Sequence, residues 1–235
     1  MAAGLFGKLP SKRDFVAVNV GRRFLDVWEP WIQGGVASAR MALGERWLDA
    51  YNRAPLWRFW LGSGFAGEAM IGAFMASVDG VGRSFPLTLV CGEGEASLPP
   101  PELDANDSWC AAAEDVLLSA LSADADLERV AAAAASLPPP ALQPRGGDVG
   151  GFEELADGAI LVREAAPSWT LTFRAARRFG HRRSFANQTF WWTVGGEDFP
   201  PLAVAYAGLP PPSRFADLLT GAFADAPPAQ SAAAS

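Results

Sequence analysis

Histidine and cysteine are nearly missing from this chain of 235 residues, which holds one of the first (His181) and two of the second (Cys91 and Cys110). A single histidine cannot build a multi-histidine metal site, and two isolated cysteines cannot build a thiolate one. No metal is therefore expected, and a reduced compartment fits the cysteine usage. Serine hydrolase chemistry needs a serine, a base and an orienting acid. The only base available lies in Arg177-Arg178-Phe179-Gly180-His181-Arg182-Arg183, where four guanidiniums disfavour the imidazolium such a mechanism must form. No Gly-x-Ser-x-Gly elbow occurs, so His181 reads as a surface loop residue. No apolar run reaches the length that spans a bilayer, so direct membrane insertion is not expected. Lys8, Lys12, Arg13 and Asp14 interrupt the N-terminus early, unlike a secretory signal. A basic excess is also lacking: the net charge of −7 argues against a nucleic-acid partner and against docking on anionic lipid by charge alone. The expected location is cytoplasmic.

Hydrophobic residues make up 50% of the chain, including nine Trp and fifteen Phe, which is the composition of a folded protein with a sizeable core. An extended segment is expected from Gly4 to Leu9. Phe24, Val27, Trp28, Trp31 and Ile32 recur at helical spacing and predict a helix over 21–40. Pro30 inside it implies a kink or a break into two shorter helices. A further helix is predicted for 41–52. Residues 56–90 read as a meander of three strands, with Trp57–Leu61, Ala69–Ser77 and Phe85–Val90 as its members, apolar on both faces as in a sheet covered on both sides. After a proline-rich link (93–104), helices are predicted for 108–121, capped by Asn106 or Asp107, and for 124–136. A low-complexity loop over 138–151 follows. Strands are then predicted at Ala159–Val162, Trp169–Phe173, Gln188–Val194 and Ala203–Tyr206, with a closing helix at 214–223. The fold class is α+β: a single αβα-like domain over 1–225 with a central, largely antiparallel or mixed sheet flanked by helices, and a disordered Ala/Pro/Ser-rich tail at 226–235.

Four local patterns could carry chemistry. Gly62-Ser63-Gly64-Phe65-Ala66-Gly67 satisfies the glycine fingerprint of dinucleotide-binding domains, but the following Met70-Ile71-Gly72-Ala73-Phe74 reads as a strand and no acid stands at the required distance. A hairpin turn is expected there, and no cofactor. The run from Arg174 to Arg183 reads either as a solvated turn between strands or as a docking spot for an acidic or phosphorylated partner. Asp79 and Arg83 share one glycine-rich turn, with Arg58 on a preceding strand and Arg13 and Asp14 near the N-terminus. These groups suit either a structural carboxylate that caps turn amides and is bridged by arginine, or an anion-binding site. In Asn187-Gln188-Thr189-Phe190-Trp191-Trp192-Thr193 the adjacent Trp191 and Trp192 must point to opposite faces, so both faces are covered or one ring, Trp192 by our reading, is available to a partner.

Two segments carry a family resemblance: Leu5-Phe6-Gly7-Lys8-Leu9-Pro10-Ser11-Lys12-Arg13-Asp14-Phe15, and Ser77-Val78-Asp79-Gly80-Val81-Gly82-Arg83-Ser84-Phe85-Pro86-Leu87. With Trp28 to Trp31, Ala54-Pro55-Leu56-Trp57-Arg58-Phe59, Phe190-Trp191-Trp192-Thr193 and Gly208-Leu209-Pro210-Pro211, in that order, they make the chain similar to the TagF (ImpM) family of type VI secretion accessory proteins. Two departures stand out: Lys12-Arg13 where the family commonly has Arg-Gly, and Gly80 where it commonly has Arg, which loosens the turn. The resemblance implies a non-enzymatic, cytoplasmic post-translational regulator that represses type VI secretion by binding the forkhead-associated scaffold protein of the system. Some relatives join the domain to a PP2C-type phosphatase, for which this chain is too short. Lys8, Ser11, Arg13, Asp14, Arg58, Ser77, Asp79, Arg83 and Trp192 become candidates for partner or ligand contact. The competing expectation is an anion-binding sensor or enzyme built on Asp14, Arg58, Asp79 and Arg83, and a third is a structural subunit of the secretion machine. Oligomeric state is left open by the sequence.

Overall fold

The strands of this chain are apolar on both faces because the sheet they form is buried on both. A computed structural model describes residues 2–122, 125–142, 152–155, 159–163, 168–196 and 198–223. Seven strands form one sheet: β1 (Gly4–Gly7), β2 (Val16–Val18), β3 (Trp57–Leu61), β4 (Met70–Met75), β5 (Leu87–Gly92), β8 (Thr189–Thr193) and β9 (Leu202–Tyr206), in the order β2-β1-β5-β4-β3-β8-β9. Every pairing is antiparallel. A separate two-stranded hairpin joins β6 (Phe152–Glu154) to β7 (Ile160–Val162). The architecture is mixed α+β, with the large antiparallel sheet flanked by helices.

One face packs against α1 (Arg22–Leu43), α2 (Trp47–Arg53) and α8 (Phe215–Thr220); the other packs against α4 (Asp107–Ser119) and α5 (Leu127–Ala135). The pleat sorts the residues. Trp57, Phe59 and Leu61 of β3 join Trp28, Trp31 and Ile32 of α1, whereas Trp60 between them joins Cys110, Ala113 and Leu117 of α4. Gly72 of β4 is required by close approach: a Cβ there would lie 2.4 Å from both the Leu89 carbonyl oxygen and the Phe59 ring.

Helix α1 runs unbroken for 22 residues through Pro30. The expected break does not occur, because Phe24, Trp28, Trp31, Ile32, Gly35, Val36 and Ala39 form one continuous buried stripe whose tertiary packing outweighs the single hydrogen bond that proline removes. A second correction concerns Trp169–Phe173. The alternation of Trp, Leu and Phe with Thr predicts a strand, but the segment opens α6 (Trp169–Phe179), followed by the one-turn α7 (His181–Ser184). The Arg-Ala-Ala-Arg-Arg continuation favours helix, and the inward residues Thr172, Ala175, Ala176 and Phe179 recur with a period of 3.6. Arg174 to Arg183 is therefore helical and not a turn between strands. Strands β2 and β6 were not anticipated from the sequence. The tail at 226–235 and most of the 138–151 loop lie outside the described residues.

Trp191 sits at the centre of the first core layer, fully buried, with its ring centroid 4.8 Å from Trp31, 5.7 Å from Phe59 and 5.9 Å from Trp28. Its indole N–H donates to Thr189 Oγ1 at 2.8 Å. Trp191→Ala should lower unfolding stability by ~3–5 kcal/mol in urea titrations, the range for large aromatic truncations. A loss below about 1 kcal/mol, the level of a surface change, would mean that the layer does not depend on this ring.

Candidate functional site

The two motif-bearing segments converge at one end of the sheet. β1 pairs with β5, and Gly7 reaches φ +133° where it passes Pro86, a conformation and proximity open only to glycine. The chain leaves β1 through Lys8 to Pro10 and meets the β4–β5 connection at Ser77 to Arg83. Ser77 Oγ donates to the Lys8 carbonyl at 2.8 Å, and the Gly80 amide donates to the Lys12 carbonyl at 2.7 Å. The turn is tied to the N-terminal segment through that amide.

Asp79 is the hub. Its Oδ1 accepts from the amides of Val81 (3.1 Å) and Arg83 (2.9 Å), while Oδ2 meets Lys8 Nζ at 2.8 Å and Arg83 Nε at 2.6 Å. Arg83 Nη2 continues to the Arg13 carbonyl at 2.6 Å. Burial pushes the Asp79 carboxyl pKa up, but the hydrogen bonds from Lys8, from the Arg83 amide and side chain, and from the Val81 amide outweigh it and hold the group well below the ordinary carboxylate range. Behind the hub, Tyr51 OH donates to the Ser77 carbonyl at 2.9 Å and accepts from the Ser77 amide at 3.0 Å, and burial raises its pKa. Phe6, Phe15 and Phe85 form an aromatic cluster beside it, with Lys8 over the Phe15 ring at 5.3 Å.

The structure thus brings together Lys8, Arg13, Ser77, Asp79 and Arg83. Ser11 and Asp14 lie on the exposed loop of the same segment. Arg58 belongs elsewhere. It points to the opposite layer, where it makes a bidentate pair with Glu114 (2.7 and 2.8 Å) and a third contact to Asp107 (3.1 Å) on α4. The Glu114 hydrogen bonds raise its pKa, against desolvation. A single site of Asp14, Arg58, Asp79 and Arg83 is therefore not formed, because alternate strand residues face opposite layers and Arg58 shares its face with α4. Trp192, opposite Arg58 in the β3–β8 register, is half-buried against the second core layer, and its indole N–H has no partner among the described residues.

Three reactive-looking groups are closed off. Burial pushes the Cys110 thiol up to about 12 and raises that of Cys91. His181 is buried, not on a surface loop: its Nδ1 pairs with the Arg178 carbonyl and its Nε2 with Ser97 Oγ, both at 2.9 Å. Because a carbonyl only accepts, Nδ1 carries a proton, and in the neutral ring Ser97 then donates to Nε2. This serine–histidine pair is sealed, with 3% and 5% exposure, and admits no substrate. Next to it the buried Glu93 accepts from Arg182 Nε at 2.9 Å and from the Leu98 amide at 3.0 Å. The Glu93–Ser97–His181–Arg182 cluster went unseen in the sequence; an acid directly after an apolar strand was its only signal. Gly62–Gly67 joins β3 to β4 through the one-turn helix α3 (Ser63–Ala66), an antiparallel hairpin link without the crossover that a dinucleotide fold needs. Among the described residues no group of three His, Cys, Asp or Glu could hold a metal ion, and no helix is long and apolar enough to cross a membrane.

Beside the hub, an open cleft of about 590 Å³ is lined by Lys8, Arg40, Trp47, Gly82, Arg83 and Ser84 among others, with no carboxylate in its lining. Arg40 lies over the Trp47 ring at 5.1 Å.

Compared with known proteins, the chain matches the model of the TagF N-terminal domain, type VI secretion system-associated, over residues 4–137. The crystal structure of PA0076 from Pseudomonas aeruginosa PAO1 is similar along nearly its full length, at 32% sequence identity and a TM-score of 0.78, covering 96% of this chain and 97% of that one. A search of curated proteins returned no match.

The hub's pH dependence has a defined sign. A carboxyl whose folded pKa is depressed stabilises fully above the ordinary range and loses that contribution as pH falls below about 4. Asp79→Asn should be less stable at pH 7, and its stability should fall less than that of the parent protein between about pH 5 and pH 2. Parallel urea-stability profiles over that window would show that Asp79 is not the acid-labile group.

Proposed function

This chain belongs to the TagF family of type VI secretion-associated proteins, and from that premise we propose that it is a non-enzymatic cytoplasmic regulator which represses secretion by binding the forkhead-associated scaffold protein of the system. The observation that supports this reading is the condition of the motif-bearing end of the sheet. The carboxylate of Asp79 is consumed by four donors, and the cations around it are engaged in holding two loops together. The buried thiols are raised in pKa and the Ser97–His181 pair is sealed. Its exposed side chains, Val81 and Arg83 on the turn and Phe15 on the facing segment, include no reacting group. A motif-bearing end committed to holding the fold together, with no reacting group, suits a chain that acts by occupancy and not by turnover.

A second reading has its own observation. In the cleft beside the hub Lys8 and Arg83 are paired with Asp79, but Arg40, over the Trp47 ring, makes no ion pair among the described residues and suits an anionic ligand. This cleft replaces the Asp14/Arg58/Asp79/Arg83 grouping with a different set.

Isothermal titration of the full chain with purified scaffold protein decides the first reading. The expected result is saturable binding with Kd at or below about 1 μM, near −8 kcal/mol; the absence of heat and of co-elution at tenfold higher concentrations contradicts it. For the second, inorganic phosphate or pyrophosphate at millimolar concentration should raise the unfolding midpoint of the parent chain and not that of Arg40→Ala. Equal midpoints with and without phosphate remove that reading.

A further inference from the structure

Helix α6 presents an anomaly for a surface helix. Trp169, Leu171 and Phe173 are 65%, 62% and 68% exposed, and Thr172 is its one fully buried residue. Isolated exposed apolar residues are ordinary, but a Trp and a Phe one turn apart, their rings tilted with centroids 6.3 Å apart, form a patch. The inner face is already occupied: Phe179 stacks on Phe152 of the β6–β7 hairpin at 5.7 Å. The aromatic pair is therefore not the side by which α6 holds to its own fold.

The helix itself carries charge of one sign, although Arg177 meets Glu102 at 3.7 Å and Arg182 is paired with Glu93. Between Ser168 and Phe185 there are five arginines and no acid, on a chain whose net charge is −7. Arg177 continues the Trp169–Phe173 line by one more turn and is held in place over the Phe185 ring at 4.8 Å. Arg174 and Arg178, also a turn apart, are exposed and make no ion pair among the described residues. Aromatic anchors at i and i+4 with flanking guanidiniums are the residue types and spacing of a helix that docks in a groove. From this geometry we infer that the outer half of α6, with Trp169 and Arg178 at its two edges and Phe173 and Arg174 between them, is the docking surface for a protein partner that offers an apolar groove rimmed by carboxylates. The inference rests on the regulator reading above, and locates the contact outside the Asp79–Arg83 turn.

Two other occupants fit less well. A bilayer needs its apolar groups on one plane, yet Leu171 lies about 160° around the axis from Trp169, and the acidic body of the chain would be repelled by anionic lipid. A two-fold pairing of copies would bring two arginine clusters face to face.

The test uses the full chain, its Trp169→Ala/Phe173→Ala and Arg174→Glu/Arg178→Glu variants, and Met41→Ala, at an exposed residue of α1, as the control away from α6. Purified scaffold protein is the probe in calorimetry at two salt concentrations. All variants are first compared with the parent in thermal unfolding, where the exposed α6 changes should leave the midpoint in place. The expected result is a loss of affinity of roughly 30-fold or more for each α6 variant, with the charge reversal also flattening the salt dependence, and little change for Met41→Ala. Parent-level affinity of both α6 variants overturns the inference and leaves the regulator reading standing. No binding by the parent chain removes both. Binding to phosphatidylglycerol vesicles, or self-association in sedimentation, that the parent shows and the α6 variants lose overturns the assignment to a partner protein.

Discussion

Taking an ionised carboxylate out of water costs far more than any one contact returns, so a buried aspartate persists only where cations and amides surround it on every side. Asp79 meets that condition with donors drawn from two distant parts of the sequence: Lys8 leaving β1, and Val81 and Arg83 in the β4–β5 connection. The neutralisation fixes more than the turn. It sets where β1 ends relative to β5, it places Arg83 so that its guanidinium can reach the Arg13 carbonyl, and it positions Ser77 for Tyr51, which carries the constraint to α2. The edge of the sheet, the loop before β2 and the second helix thus share one electrostatic requirement. Arg58 with Glu114 and Asp107 does for the opposite layer what Lys8 and Arg83 do here, joining β3 to α4.

This arrangement bears on function through what it withholds. A group that catalyses must be reachable and able to change its protonation state near neutral pH. The carboxylate here is buried and strongly depressed in pKa, Cys110 is raised to about 12, and the serine–histidine pair is enclosed. Among the described residues these groups serve construction. The partner surface we propose lies instead on side chains that the fold does not itself need, those of α6.

The central sheet was legible because its strands carry apolar residues on both faces and are bounded by turn residues; β3, β4, β5, β8 and β9 fall within a residue or two of their expected positions. The unbroken α1 was not legible, since the rule that proline interrupts helices is local, whereas the buried stripe from Phe24 to Ala39 acts at a distance. Trp169-Thr170-Leu171-Thr172-Phe173 misled for the opposite reason: its alternation is genuine, but it places Trp, Leu and Phe in solvent, and a half-buried strand is the reading that would have hidden them. Of the candidate site, the Asp79–Arg83 pairing could be read from turn chemistry alone. The partners of Arg58 could not, because Glu114 lies 56 residues away on a helix whose face against the sheet has no local signature. His181 looked solvent-exposed among arginines, yet its ring turns inward to Ser97, and Arg182 of that run joins it at Glu93.

Hydrogen–deuterium exchange of the full chain, alone and with an equimolar amount of the scaffold protein, tests most directly whether the protein acts by occupancy through α6. The account predicts slowed exchange concentrated in residues 169–184, with the Asp79–Arg83 turn equally protected in both states. Protection confined to residues 77–84, or no protected segment at all under conditions where the two proteins are at micromolar concentrations, would contradict it.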